Sequence, residues 1–280
     1  MDQIILVKKD MGMTSFDVCF KLRKIFKTKK IGHTGTLDPN ATGLLMVLIN
    51  KSCKVLPFIL HANKTYIAKM KLGVKTDTGD IWGNPIKEND HKIIIEEEVI
   101  KVLASFIGDQ MQKPPMTSAI KIDGKKLLFY QKEGIEIEVP ERPINISSIK
   151  LLSITDEIEF EVTCSAGTYV RSLCEDIAER LGSIGTMTSL IRTKIDEFSI
   201  DDAYTLEDIS NGNYKGFSNY EILSKYYETY ETNDINHVKD GKKIRINSNQ
   251  QQVLVTCSKQ ALAIYERVED YLYKSKRGLF

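Results

Sequence analysis

The sequence predicts an α+β fold closed by a small β module, and three observations carry that expectation. Apolar residues recur with a period of two in several runs, most clearly over residues 64–72. They recur at helical spacing over residues 15–26 and 168–181. The two patterns do not alternate as regular βαβ units, which favours an α+β sheet over a doubly wound one.

Taken in order, residues 3–7 form a short apolar run suited to a buried strand. Thr14, with Asp17 three residues later, resembles a capping box that opens a helix over 15–26. On that helix Cys19, Leu22 and Phe26 share a face, leaving Lys21, Arg23, Lys24 and Lys27 to meet solvent or phosphate. Residues 32–43 are a glycine-rich loop and 44–49 an apolar strand. In the strand 64–72, Tyr66, Ala68, Met70 and Leu72 define one face, with Ile67 and the lysines expected on the other. Residues 96–106 and 125–132 read as helices, 144–154 and 157–163 as strands, and 168–181 as a helix ended by Gly182. The polar, tyrosine-rich stretch 211–240 reads as a linker containing a helix. Beyond it come short strands at 243–246, 252–256 and 261–268. The expected division is a catalytic domain over 1–235 and a small module over 236–280.

The 280 residues include 39 Lys/Arg and 38 Asp/Glu, a formal net charge of +1 that alone argues against a nucleic-acid partner. The distribution says otherwise. Residues 1–75 carry 14 basic side chains against four acids, residues 76–235 carry 16 against 30, and residues 236–280 carry nine against four. Two basic ends around an acidic middle suit a polyanion held at separated patches, unless the lysines simply solvate surface helices. No run of about 18 apolar residues suggests a membrane span. The apolar stretch near the start, Ile4 to Val7, is too short for a signal peptide. Five cysteines, widely spaced and without a C-x-x-C pair, indicate neither a disulfide framework nor a zinc site. The expectation is a cytoplasmic, metal-free protein.

The segment Gly32-His33-Thr34-Gly35-Thr36-Leu37-Asp38-Pro39-Asn40-Ala41-Thr42-Gly43 holds the most chemical information. Its glycines let backbone approach a ligand closely, and Asp38 is the one carboxylate of the basic block outside the first twenty residues. A carboxylate among positive charges stays ionised, as a nucleophile must. Spacing alone supports equally an Asp-Pro turn in which the carboxylate accepts a backbone N–H.

This run resembles the G-H-T-G-x-L-D-P-x-A-T-G motif of the TruB-type tRNA pseudouridine synthases. Ordered matches continue at Lys64-Thr65-Tyr66, at Gly73 with Thr76-Asp77-Thr78 and Asp80, and at Pro114-Pro115-Met116 with Ser118-Ala119 and Lys121. They run on through Gly124-Lys125, Arg142-Pro143, Cys164-Ser165 and Gly167-Thr168-Tyr169-Val170-Arg171, to Leu190, Arg192 and Phe198. The resemblance thus spans about residues 3 to 210. It implies a mixed, mainly antiparallel central sheet with flanking helices. More weakly, the C-terminal module resembles a PUA-like RNA-binding domain.

The resemblance implies isomerisation of uridine to pseudouridine (uridine-55) in the TΨC stem-loop of tRNA with no cofactor or metal, and the compact length and lack of a basic low-complexity tail favour a stand-alone monomer over a subunit directed by a guide RNA. An RNA-folding chaperone, whose opening of the tRNA elbow matters more than catalysis, is the alternative. By resemblance Asp38 is the nucleophile, Tyr66 stacks on the target base and takes a proton, and Arg171 pairs with the catalytic carboxylate. Tyr169 and Leu190 line the base pocket, His33 belongs to the apparatus that replaces the flipped base in the stack, and Lys9 packs near the site. Without the resemblance, Tyr66 reads as a core tyrosine, Arg171 as a solvated helix charge and His33 as a turn residue. The sequence departs from the family pattern at Asp10, Met46, Thr117, Ala166 and Ile191, and the lysines of residues 21–30 offer basic charge in compensation for the last two.

Overall fold

Four successive apolar residues, Ile4 to Val7, need cover on both faces, and all four are fully buried in β1 (Gln3–Lys9). The structure, a computed structural model, describes residues 2–89 and 95–280 and divides into two units, Met1–His61 with Ser199–Phe280, and Ala62–Phe198.

In the first unit the capping box at Thr14 and Asp17 is formed, and it opens α1 (Ser15–Ile25). The strand β2 (Ile31–His33) pairs antiparallel with β3 (Thr42–Ile49), which also pairs with β1, setting Lys9 opposite Gly43. Ile5, Val7, Leu45, Val47 and Ile49 alternate along the two strands and pack with Val18, Cys19 and Leu22 of α1. The two residues at each end of the predicted loop, Gly32 and His33 in β2 and Thr42 and Gly43 in β3, are therefore regular; the chain from 34 to 41 has no ladder of its own. A short α2 (Leu56–Ile59) follows, and Pro57 at its first turn costs no helical hydrogen bond.

The second unit is built on β4 (Lys64–Leu72). Beyond the hairpin β5 (Val74–Thr76) and β6 (Pro85–Glu88) come α3 (Glu96–Ala104), β7 (Gly108–Gln112), the two-residue strands β8 (Lys121–Ile122) and β9 (Lys125–Lys126), and α4 (Leu127–Lys132). There follow β10 (Arg142–Ile154), β11 (Ile158–Cys164), α5 (Val170–Arg180) and β12 (Gly185–Ile195). Within this unit the order is β12-β4-β11-β10-β7, every pair antiparallel. The face of β4 carrying Tyr66, Ala68, Met70 and Leu72 is buried. Lys64 corrects the expectation for the lysines: it has the same parity as Tyr66, lies on the buried face and is 6% exposed. The helix expected from 125 begins at Leu127, because Lys125 and Lys126 pair across to Lys121 and Ile122.

The remaining chain returns to the first unit after β13 (Phe198–Ser199), with α6 (Leu206–Ser210), α7 (Asn219–Leu223), β14 (Thr229–Glu231) and α8 (Ile235–Lys239). The stretch read as a linker helix is thus two five-residue helices around a strand. Strands β15 (Ile244–Arg245), β16 (Gln252–Cys257), β17 (Gln260–Glu269) and β18 (Leu272–Gly278) complete a five-stranded sheet ordered β14-β16-β17-β18-β15, in which only β14 with β16 is parallel. Its core is Val253, Val255, Leu262, Ala263, Tyr265 and Tyr273, with Val238 and Ile246. The α+β class and the β-rich C-terminal module are as expected.

Glycine at 185 lets α5 close onto β12. A Cβ there would stand 2.7 Å from the Ala178 Cβ and 3.1 Å from the Lys71 carbonyl oxygen. Gly185→Ala is expected to lower unfolding free energy by about 1–3 kcal/mol in urea titrations, the ordinary cost of overpacking a buried contact.

Candidate active site

Two groups of the sequence-predicted residues come together, one in each unit. In the first, Lys9 ends β1 and is 1% exposed. Its Nζ donates to the carbonyl oxygens of Asp10 (2.9 Å), Met13 (2.6 Å) and Pro39 (3.0 Å). Three donors meeting three carbonyls satisfy a cation that burial would otherwise penalise heavily. The result ties the segment after β1 to the residue following Asp38. Ser15, at the start of α1, adds a second tie: the Leu37 N–H donates to its Oγ (2.9 Å), and that hydroxyl donates to the Leu37 carbonyl (3.2 Å). The Gly12 N–H donates to the Pro39 carbonyl at 2.9 Å, and the Ala41 N–H to the Asp38 carbonyl at 3.1 Å. Leu37 is buried and Asp38 is partly exposed, so the loop anchors its leucine and presents its carboxylate. His33 ends β2 opposite Val47, partly exposed, with its backbone held in the ladder rather than in a turn.

In the second unit, Tyr66 lies on β4 between Val162 of β11 and Arg192 of β12, and is 8% exposed. Leu190, on the same face of β12, stands opposite Ala68 and is equally covered. Arg171 occupies the first turn of α5 and is 5% exposed, so periodicity alone misreads it as a solvated charge. Its Nη1 donates to the Thr78 carbonyl (2.8 Å) and to the Thr117 hydroxyl, and Nη2 reaches the Thr117 carbonyl (3.4 Å). The Asp80 carboxylate lies 3.9 Å from Nη1, close enough to offset charge without a hydrogen bond. That carboxylate is itself aimed by the Thr78 hydroxyl (2.9 Å) and the Trp82 N–H (3.2 Å).

Tyr169 caps α5 without a side-chain cap of its own. Gln112 supplies what is missing. Its amide oxygen accepts from the Tyr169 N–H at 2.8 Å, while its nitrogen donates to the Tyr169 carbonyl at 3.1 Å. Ser172 Oγ donates to the Lys113 carbonyl (3.0 Å), so the end of β7 grips the first turn of α5 at two points. Sequence reasoning missed Gln112, since a lone glutamine before Pro-Pro carries no signal. It also read Thr117 only as a departure from the family pattern, although its hydroxyl and carbonyl both hold Arg171.

Charge around these residues is uneven. Burial first, and the Arg192 charge second, bring the Lys64 ammonium down to about 8. Burial raises the Cys19 and Cys164 thiols to about 11, which leaves both protonated and poorly nucleophilic at neutral pH. Burial pushes Asp176 up to about 6, with Glu175 and Glu179 adding repulsion against the opposing Arg180 and Lys75. Among the described residues, no group of three or more His, Cys, Asp or Glu side chains could hold a metal ion. No helix described is long and apolar enough to cross a membrane.

The chain matches the TruB family pseudouridylate synthase N-terminal domain over residues 23–170 and the tRNA pseudouridylate synthase B C-terminal domain over residues 171–226. It is 47% identical over 229 residues to tRNA pseudouridine synthase B of Clostridium tetani, covering 81% of this chain and 79% of that one. It is 41% identical over 279 residues to the Mesoplasma florum protein of the same name, covering 98% and 97%. The chain belongs to the TruB family of pseudouridylate synthases. A solved H/ACA RNP bound to a substrate RNA containing 2'-deoxyuridine shares the fold, with a TM-score of 0.74 at 20% identity over 99% of this chain and 85% of that one.

Gln112→Met removes both bonds to the Tyr169 backbone at nearly constant volume. It is expected to cost about 1 kcal/mol in chemical denaturation, because the half-buried Tyr169 N–H loses its acceptor while the Tyr169 carbonyl keeps the Leu173 N–H at 3.1 Å. For Asp176 the folded state resists ionisation, so its penalty is absent below pH ~4, grows between roughly 4 and 6, and is complete above. Asp176→Asn is therefore expected to raise the Tm near neutral pH, with the gain shrinking as the pH falls toward ~4.

Proposed function

We propose that this chain isomerises uridine to pseudouridine in the TΨC stem-loop of tRNA, with Asp38 as nucleophile. The observation that carries the reading is the motif loop itself. Its leucine is buried, its backbone is fixed on both sides of the aspartate by Ser15 and Lys9, and its carboxylate is left partly exposed. Such a loop presents one acid rigidly, as nucleophilic catalysis requires.

In the reaction the N1–C1′ bond breaks, the base turns, and a C5–C1′ bond forms; the C5 proton leaves and N1 gains one. Reactant and product are isomers, so the balance calls for no oxidant, reductant or cofactor. Asp38 attacks either C1′ or C6, and both routes need an ionised carboxylate. Arg171 acts as the cation for that carboxylate. Tyr66, on a strand buried on one face, stacks on the base and takes the C5 proton. Leu190 and Tyr169 complete the pocket for the base, and His33 holds the RNA from which the base is extruded. Lys9 acts through the loop backbone that it binds. The family name of the relatives and the basic N-terminal block, 14 Lys/Arg against four acids, support tRNA as substrate.

The same reading assigns catalysis to residues 1–235 and RNA holding to a PUA-like module over 236–280, whose nine Lys/Arg against four carboxylates favour an anionic partner. The enzyme acts as a cytoplasmic monomer without a guide RNA. Asp38→Asn is expected to keep tRNA affinity within about threefold while lowering pseudouridine formation by on the order of 10³-fold or more. Filter binding and carbodiimide mapping of the product read the two effects separately. Retained isomerisation would refute the nucleophile assignment.

A further inference from the structure

We propose that the outer face of α1 is a second RNA contact, which takes unpaired nucleotides of the substrate beside the motif loop. The inference rests on the reading of the chain as a tRNA-modifying enzyme and extends it to residues that the chemistry leaves unused.

The helix turns Val18, Cys19 and Leu22 inward. One turn apart on its outer side, Phe16 and Phe20 are 60% and 49% exposed, and Met11, just before the helix, is 58% exposed. Each ring carries a cation. The Arg23 guanidinium lies 5.2 Å from the Phe16 centroid, and the Lys24 ammonium 5.0 Å from that of Phe20. Lys21, Lys27, Lys29 and Lys30 are exposed on or just beyond the helix, and no carboxylate occurs between Asp17 and Asp38.

The combination selects the occupant. Cations alone would suit a duplex backbone, and apolar residues alone a protein groove. Exposed rings interleaved with cations match a single strand, whose bases stack on aromatic faces while its phosphates meet Lys and Arg. A second copy of the chain fits poorly, since a two-fold contact would set this cationic face against itself. Placement agrees with charge. The start of α1 is joined to the motif loop by the Ser15 pair with Leu37 and by the Gly12 N–H to the Pro39 carbonyl. A strand whose target nucleotide reaches Asp38 therefore has the Met11-Phe16-Phe20 stripe next to it.

The test pairs binding with turnover. Phe16→Ser with Phe20→Ser is expected to raise Kd and KM for full-length tRNA about tenfold or more, with kcat at saturating tRNA within about twofold and the salt slope unchanged. Phe16→Tyr with Phe20→Tyr keeps the rings and is expected to restore affinity. Arg23→Gln with Lys24→Gln is expected to weaken binding and to flatten the salt slope by about one to two. With p-benzoylphenylalanine in place of Phe20, photolysis is expected to cross-link unpaired tRNA nucleotides. Unchanged Kd and KM in a serine variant that melts as wild type would overturn the proposal. So would a cross-link to a second copy of the chain, or self-association that the serine variant abolishes. Wild-type chain that bound tRNA through this face yet formed no pseudouridine would instead defeat the enzymatic reading, so the two failures are distinct.

Discussion

One buried ammonium group fixes the chain around the candidate nucleophile. Residues 34–41 have no strand or helix to hold them, and an irregular segment of that length loses much conformational entropy when ordered. Lys9 offsets part of this loss by bringing three carbonyls from two segments onto a single charge, one of them the carbonyl of Pro39. Ser15 closes the other side through both polar backbone groups of Leu37. The loop is thereby defined by side chains of β1 and α1, whose own positions follow from the apolar strand and the capping box. Hydrophobic patterning builds the frame, and two polar side chains carry its precision to the carboxylate.

The second unit solves a similar problem at a helix start. Arg171 must be buried to face inward, and burial of a guanidinium is tolerated only with close hydrogen-bond partners and a compensating charge. Thr78, Thr117 and Asp80 supply them, while Gln112 holds the backbone of Tyr169, two residues earlier. Thr117 shows how a departure from a family pattern can be filled locally: a hydroxyl and a carbonyl are what the arginine uses there.

Much of this was legible from residue order. The alternating and helical periods marked the frame because burial acts on one face of an element at a time, and the ordered motif matches placed Asp38 in a loop, Tyr66 on a strand and Arg171 early in a helix. What escaped was contact between segments distant in the chain. Nothing in a glutamine at 112 announces that it will imitate a backbone partner for Tyr169, and nothing in Lys64 says that it lies among apolar neighbours apart from its parity with Tyr66. The polar stretch 211–240 misled for another reason: two short capped helices and a parallel strand are decided by tertiary pairing, β14 with β16, rather than by local composition. Net charge hid the basic first block, although folding leaves Lys21, Lys24, Lys27, Lys29 and Lys30 exposed on and after α1, with cations over the rings of Phe16 and Phe20.

The central claim is that this single chain rearranges uridine in tRNA through a preorganised aspartate loop. Its most direct test is incubation of the purified chain with an unmodified tRNA transcript carrying tritium at C5 of uridine, without guide RNA or added cofactor. The account predicts tritium release that depends on a folded TΨC stem-loop and tracks pseudouridine formation at that site. Tight binding of the transcript with no release of tritium would contradict it.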